Sequence, residues 1–250
     1  MKAAVRKHVV LGWAFILSVL FGSAETLPPL PEIHCPFTAE VPVIDGVPDE
    51  AAWAAAPVIS LVRAEDGEAG KFPGTVRILY DQDFLYVAFD LVDDYVWGTI
   101  EERDGPIWNE ECVEVFLNPG GFPHQYFELN ISPKNVLYDS LILNGRTAEQ
   151  PYEDFLGVPE WNPETLVAAA SVQGTTDVQD GASGWSAEYA IPYDFLYGAP
   201  HRPPQSGDRW RVNFYRIDSP TAGERHHYAW SPTGRSAFHL PWRFGVIIFE

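Results

Sequence analysis

The chain has 250 residues, with 16 Lys and Arg against 35 Asp and Glu, for a formal net charge of −19. That excess repels phosphate backbones and anionic lipid, so nucleic acid and membrane surfaces make poor partners, while neutral polar ligands and divalent cations stay compatible. At 46% hydrophobic and 14% aromatic residues, the chain has enough apolar surface to bury that intrinsic disorder is excluded.

In chain order, residues 1–24 read as a secretory signal. Lys2, Arg6 and Lys7 precede an apolar run from Val9 to Phe21, and Gly22-Ser23-Ala24 offers small residues ahead of a cut before Glu25. The run is short for a membrane span, and nothing later approaches one. Cleavage predicts a secreted or periplasmic chain, takes the charge to −22 because three bases and no acids leave, and removes Met1, the only methionine. Residues 25–40 hold four prolines and read as an extended tail, ahead of a domain over 41–250.

Val43-Ile44-Asp45-Gly46 reads as a strand end and a turn. Pro48-Asp49-Glu50 then opens a short Ala-rich helical turn through Trp53, with Asp49 as its N-cap. Beyond it the pattern has period two. Thr75–Tyr80 and Phe84–Asp90 flank Asp81-Gln82-Asp83 as a hairpin, and Cys112–Leu117 and Gln125–Ile131 alternate cleanly. Val136–Leu143, Leu166–Val172, Trp185–Ile191, Trp210–Ile217, His227–Trp230 and Gly245–Phe249 continue the series. Roughly ten strands without long amphipathic helices between them predict an all-β antiparallel sandwich. Residues 144–163 read as a long loop, either functional or a covering flap, and 199–207 as a Pro-rich loop.

The alternation turns Glu114, Tyr126, Glu128, Asn130, Glu188, Arg211, Asn213 and Tyr215 away from the core. If their strands share one sheet, its face carries hydrogen-bonding groups beside aromatic rings, a surface suited to sugars. The alternative is an ordinary solvated face. Arg216 has core parity with Trp210, Val212 and Phe214, so it must pair with an acid such as Asp218 or Glu188, or reach a ligand at the rim. Trp108, set between Pro106 and Asn109 just before a strand, is either an exposed anchor or a loop-packing residue. Cys35 and Cys112 either remain free or form a disulfide that would contribute about 4 kcal/mol; no Cys/His cluster suggests zinc.

Several strings together resemble family 9 carbohydrate-binding modules: Val43–Gly46 with Asp49, Glu50 and Trp53; Val76–Asp81 followed by Phe84–Val87; Trp108–Leu117; and Trp230-Ser231-Pro232 with Phe238–Gly245. The resemblance runs from about Val41 to Phe249. It implies a jelly-roll-like β-sandwich of the carbohydrate-binding and DOMON-like type. It also implies a non-catalytic protein that binds oligo- or polysaccharide ends between two aromatic rings, with structural calcium. Trp108 matches one ring and Phe238 the second, where the family's pattern has Trp; Glu114 matches a polar contact, and Arg216 is expected to join it. At Glu128 this chain departs from an Arg of the family, which bears on sugar specificity or on binding itself. Calcium ligands are not assigned by the resemblance; Asp81, Asp83, Asp93, Asp94 and Asp104 are oxygen-rich candidates.

Three other readings stand beside this one. A module whose sugar site has decayed would serve as an interaction domain. A small glycosidase would need two of Glu114, Glu128 and Glu188 about 5–5.5 or 6.5–9.5 Å apart. A haem-binding sandwich with a Met ligand is disfavoured by a mature chain that lacks methionine.

Overall fold

Period-two alternation needs two faces to serve, and in this protein both faces of the main sheet are covered. The structure is a computed structural model that describes residues 27–221 and 224–250; the expected signal segment lies outside the described residues. Among the described residues there are thirteen strands: β1 Glu32–Cys35, β2 Val58–Arg63, β3 Gly74–Tyr80, β4 Phe84–Val92, β5 Cys112–Asn118, β6 Gln125–Ile131, β7 Leu137–Asn144, β8 Phe155–Val158, β9 Val167–Gly174, β10 Ala182–Pro192, β11 Arg209–Thr221, β12 Glu224–Ala229 and β13 Gly245–Phe249. The helices among the described residues are single 3₁₀ turns.

The first sheet runs β8-β7-β6-β5-β11-β12, all antiparallel. The early part of β11 also pairs with β13, and β1 lies parallel to β13. The second sheet runs β2-β3-β4-β10-β9. A short β12–β2 pairing joins the two at one corner. Between the sheets lies the main core. Val113, Val115, Leu129 and Phe214 come from one side, and Val76, Val87, Phe89 and Tyr189 from the other. This is the sandwich that the alternation predicts.

The outer face of the first sheet is also largely buried. Phe116, Tyr126, Ile142 and Tyr215 pack beneath Ile107, Phe238 and Phe244 from the covering segments. On the second sheet, Tyr86, Ala88 and Ala190 pack beneath the Ala51–Ala55 turn and its Trp53.

The structure revises several local expectations. The extended tail contributes β1. Glu50, not Asp49, precedes the Ala51–Ala55 turn, and no side chain caps it. The long loop contains β8, which extends the first sheet past β7. Cys35 and Cys112 are free and buried. Cys35 lies between the sheets, whereas Cys112 has the parity opposite to Val113 and Val115 and packs on the outer face. The first sheet therefore separates the two sulfurs, and the disulfide alternative falls.

Glu188 is corrected too. It lies on β10, in the second sheet, away from Glu114 and Glu128. Its carboxylate accepts from the Gly46 N–H at 2.9 Å, the Asp45 N–H at 3.3 Å and the Trp53 indole at 3.0 Å. It thereby fastens the segment before β2 to the sheet. Gly46 has φ +91°, and a Cβ there would sit 2.6 Å from the Ala170 backbone, so only glycine fits this approach.

Candidate functional site

On the outer face of the first sheet, strand register aligns Tyr138 of β7, Asn130 of β6, Glu114 of β5 and Tyr215 of β11 in one row. Ser140, Glu128, Phe116 and Asn213 form the next row. Glu114 and Glu128 are thus diagonal neighbours on adjacent strands, both facing outward beneath the covering segments.

Three segments build walls on this floor. The first carries Trp108 in the Ile107–Asn109 turn. Glu110 fixes that turn by accepting from the Thr99 and Ile100 N–H groups at 2.8 and 3.2 Å, while Ser219 donates to the Glu110 carbonyl at 3.1 Å. The Arg225 guanidinium holds the Trp108 carbonyl. The second segment carries Ser236 to His239. Tyr215 donates to the Phe238 carbonyl at 3.0 Å, and its ring stacks on Phe238 at 4.0 Å. The third is β8, whose Phe155 stacks on His239 at 3.7 Å.

The walls and floor enclose a cavity of about 290 Å³. Its rings are Trp108, Tyr138, Phe155 and Phe238, and its polar groups include Glu114, Glu128, Arg225, His227 and His239. Trp108 is half-buried and meets Tyr138 edge-on at 4.8 Å. Phe238 is 7% exposed, mostly spent on Tyr215. Phe155, at 36%, shows more of its ring to the cavity mouth.

Burial governs the ionisable groups. It raises the Glu114 carboxyl well above the usual carboxylate range, and Glu128 raises it further. Burial also pushes Glu128 up to about 7, opposed by the Asn130 amide donating at 2.8 Å. Two carboxyls that cannot both ionise cheaply hold a proton between them near neutrality. Burial pushes His239 down to about 3, with Arg146 adding to the effect, so its imidazole is neutral. Its Nδ1 lies 2.7 Å from the Tyr126 hydroxyl, and its Nε2 faces Glu128 at 3.9 Å. The cavity thus presents neutral or singly charged donors and acceptors framed by rings.

The structure brings Trp108, Glu114, Glu128 and Phe238 together. It does not bring Arg216 with them. Arg216 faces the space between the sheets, 0% exposed, and donates to Asp93 at 2.5 Å and to the Val92 and Phe72 carbonyls at 2.9 and 3.3 Å. Its core parity demanded an acid, and Asp93 supplies it, with Asp218 at 3.7 Å. The sequence reading missed Phe155, Tyr138 and Arg225. Tyr138 was marked by outward parity on its strand. Phe155 carried no such signal, because four residues are too few to show a period.

Beside Arg216, ligand atoms of Asp93, Glu111 and Asp218 lie within 4.8 Å of one another, all buried. Both oxygens of Glu111 and both of Asp218 lack a hydrogen-bond partner. Burial and the neighbouring Asp93 and Asp218 push Glu111 up to about 9; burial pushes Asp218 up to about 6. The unpartnered oxygens of Glu111 and Asp218 are the donor type a calcium ion takes, while both Asp93 oxygens are already engaged, by Arg216 and by the Tyr95 N–H. Of the other candidate acids, Asp81 is occupied with the Asp83 and Phe84 N–H groups and the Tyr86 hydroxyl, at 2.7–2.8 Å. Asp83 is exposed, Asp94 sits 4.0 Å from Lys71, and Asp104 lies beside Arg103.

A family model described as carbohydrate family 9 binding domain-like matches residues 44–250. The chain belongs to this family. Among its relatives, an extracellular protein of Arthroderma benhamiae is 26% identical over 184 residues, spanning 70% of this chain and 78% of that protein. A structure of a candidate carbohydrate-binding protein of Bacteroides uniformis superposes with a TM-score of 0.71 at 19% identity, covering 89% of this chain and all of that one. A family 9 module of Caldicellulosiruptor kristjanssonii, solved with cellotriose and with glucose, superposes at 0.61 and 14% identity. It covers 88% of this chain, and 94% and 96% of the two chains compared. At these identities the structural likeness shows a shared family 9 fold.

Proposed function

We propose that this protein is an exported, non-catalytic carbohydrate-binding protein whose cavity on the outer face of the first sheet holds the end unit of a neutral saccharide. The observation that carries this reading is the cavity itself: rings on three walls above a floor of two buried carboxyls. Trp108 and Phe155 offer ring surface to the apolar faces of a sugar. Glu114, Glu128 and neutral His239 exchange hydrogen bonds with hydroxyls, and Phe238 backs the wall. A cavity of about 290 Å³ lies at the lower limit of ligand pockets, which run roughly 300–1,000 Å³, and suits one small unit better than a length of chain. The family's membership of binding modules and the sugars held by the Caldicellulosiruptor module support the same ligand class. The basic and apolar leader and the extracellular fungal relative support export.

Calcium is proposed as a structural ion held by Glu111 and Asp218 beside the Arg216-paired Asp93, where it would supply positive charge to a buried acidic cluster.

Titration calorimetry of the protein and of Trp108→Ala against glucose and cellobiose tests the binding reading. Binding lost in the variant, with an unchanged circular dichroism spectrum, is the expected result; equal binding by both proteins removes Trp108 from the site. No turnover of aryl glycosides is expected, and hydrolysis abolished by Glu128→Gln would replace binding with catalysis.

A further inference from the structure

The cavity accounts for one sugar unit, and the segment joining β7 to β8 lies at its mouth. This flap is an ordered structure. Gly145 N–H donates to the Asp154 carbonyl at 3.2 Å, Thr147 N–H to the Gln150 carbonyl at 3.2 Å, and the Arg146 Nε to the Glu153 carbonyl at 2.7 Å. An arginine also lies on a ring at each end. The Arg146 guanidinium is 4.8 Å from the Phe155 centroid, and the Arg235 guanidinium is 5.1 Å from that of Tyr152. Phe155 lines the cavity, and Arg235 directly precedes Ser236, which also lines it. Arg235 thus ties Tyr152 to the segment that enters the cavity wall, and the residue stays 84% exposed.

We infer that Tyr152, positioned by Arg235, forms an outer subsite that stacks the second unit of a neutral oligosaccharide whose end unit fills the cavity. The inference rests on the sugar-binding reading above and deepens it by assigning a chain-length preference. An aromatic ring held at a fixed place in water offers apolar contact with little ordering cost, since the flap is already hydrogen-bonded. A chain leaving a cavity this small must pass its rim, and the flap supplies the exposed ring there.

Calorimetric titration with glucose, cellobiose and cellotriose tests it, using the full protein, Tyr152→Ala, Tyr152→Phe and Trp108→Ala. The protein is expected to bind the oligosaccharides about tenfold more tightly than glucose, equivalent to about 1.4 kcal/mol. Tyr152→Ala is expected to lose that gain while keeping its affinity for glucose, and Tyr152→Phe to keep both. Trp108→Ala is expected to lose all three ligands. Tyr152→Ala binding cellotriose as well as the parent, or a parent that binds glucose and cellotriose alike, overturns the outer subsite and leaves the inner one standing. A parent that binds none of the three overturns the sugar reading itself and the outer subsite with it.

Discussion

Glu128 and Glu114 are the residues with most at stake, because two carboxyls share a buried floor. Glu128 has a folded pKa of about 7, against an ordinary carboxylate value of 4.5, and Glu114 is raised as well. The folded state then binds more protons than the unfolded chain between those values. The Glu128 contribution to stability is full below about pH 4.5 and is lost as pH rises through about 7. Melting temperature measured across pH 4.5–8 is expected to fall over this window in the ligand-free protein. Glu128→Gln, which carries no charge to desolvate, is expected to flatten the fall. A variant with the parent's slope would contradict the burial of this pair. The cysteines are tested at the same scale. With Cys35 and Cys112 on opposite faces of the first sheet, two thiols per chain are expected to react with Ellman's reagent in denaturant, and reductant is expected to leave the melting temperature unchanged.

At the level of elements, local pattern and distant pairing divide the work. Alternation sufficed for β3, β4, β5 and β6 and for the outward parity of Glu114 and Glu128, because parity is a property of one strand. It was silent on which strands share a sheet. Glu188 has the same outward parity, but β10 pairs with β4 and β9, which places it behind the Val43–Trp53 segment. Gly46 shows that same segment's dependence on one conformation. Gly46→Ala is expected to destabilise the protein by about 1–3 kcal/mol, the range for a strained backbone. Urea unfolding is the check, and an unchanged midpoint would mean that the close approach to Ala170 relaxes freely. The flap was legible only as a long loop. β8 is too short for a period, and what makes Phe155 part of the cavity is its stack on His239, 84 residues away in the chain.

For the whole molecule, the acidic excess is distributed with consequences. Part of it lies under the rings as the cavity floor, and part is gathered between the sheets around Arg216. The core parity of Arg216 announced an ion pair, but its partner Asp93 comes from the end of β4 in the facing sheet, a meeting that only the packed sandwich creates. If calcium sits among Asp93, Glu111 and Asp218, a chelator is expected to lower the melting temperature by about 5–10 °C at calcium near a hundred times its dissociation constant. Added calcium is expected to restore it, and Asp218→Asn to reduce the response. An unchanged melting curve in chelator would leave the cluster to Arg216 and a bound proton. The aromatic excess is mostly core, yet the few rings set outside it define the proposed site. A crystal structure with cellotriose tests that assignment most directly. The end unit is predicted in van der Waals contact with Trp108 and Phe155, its hydroxyls within hydrogen-bond distance of Glu114 or Glu128; a sugar seated anywhere else on the sandwich would contradict it.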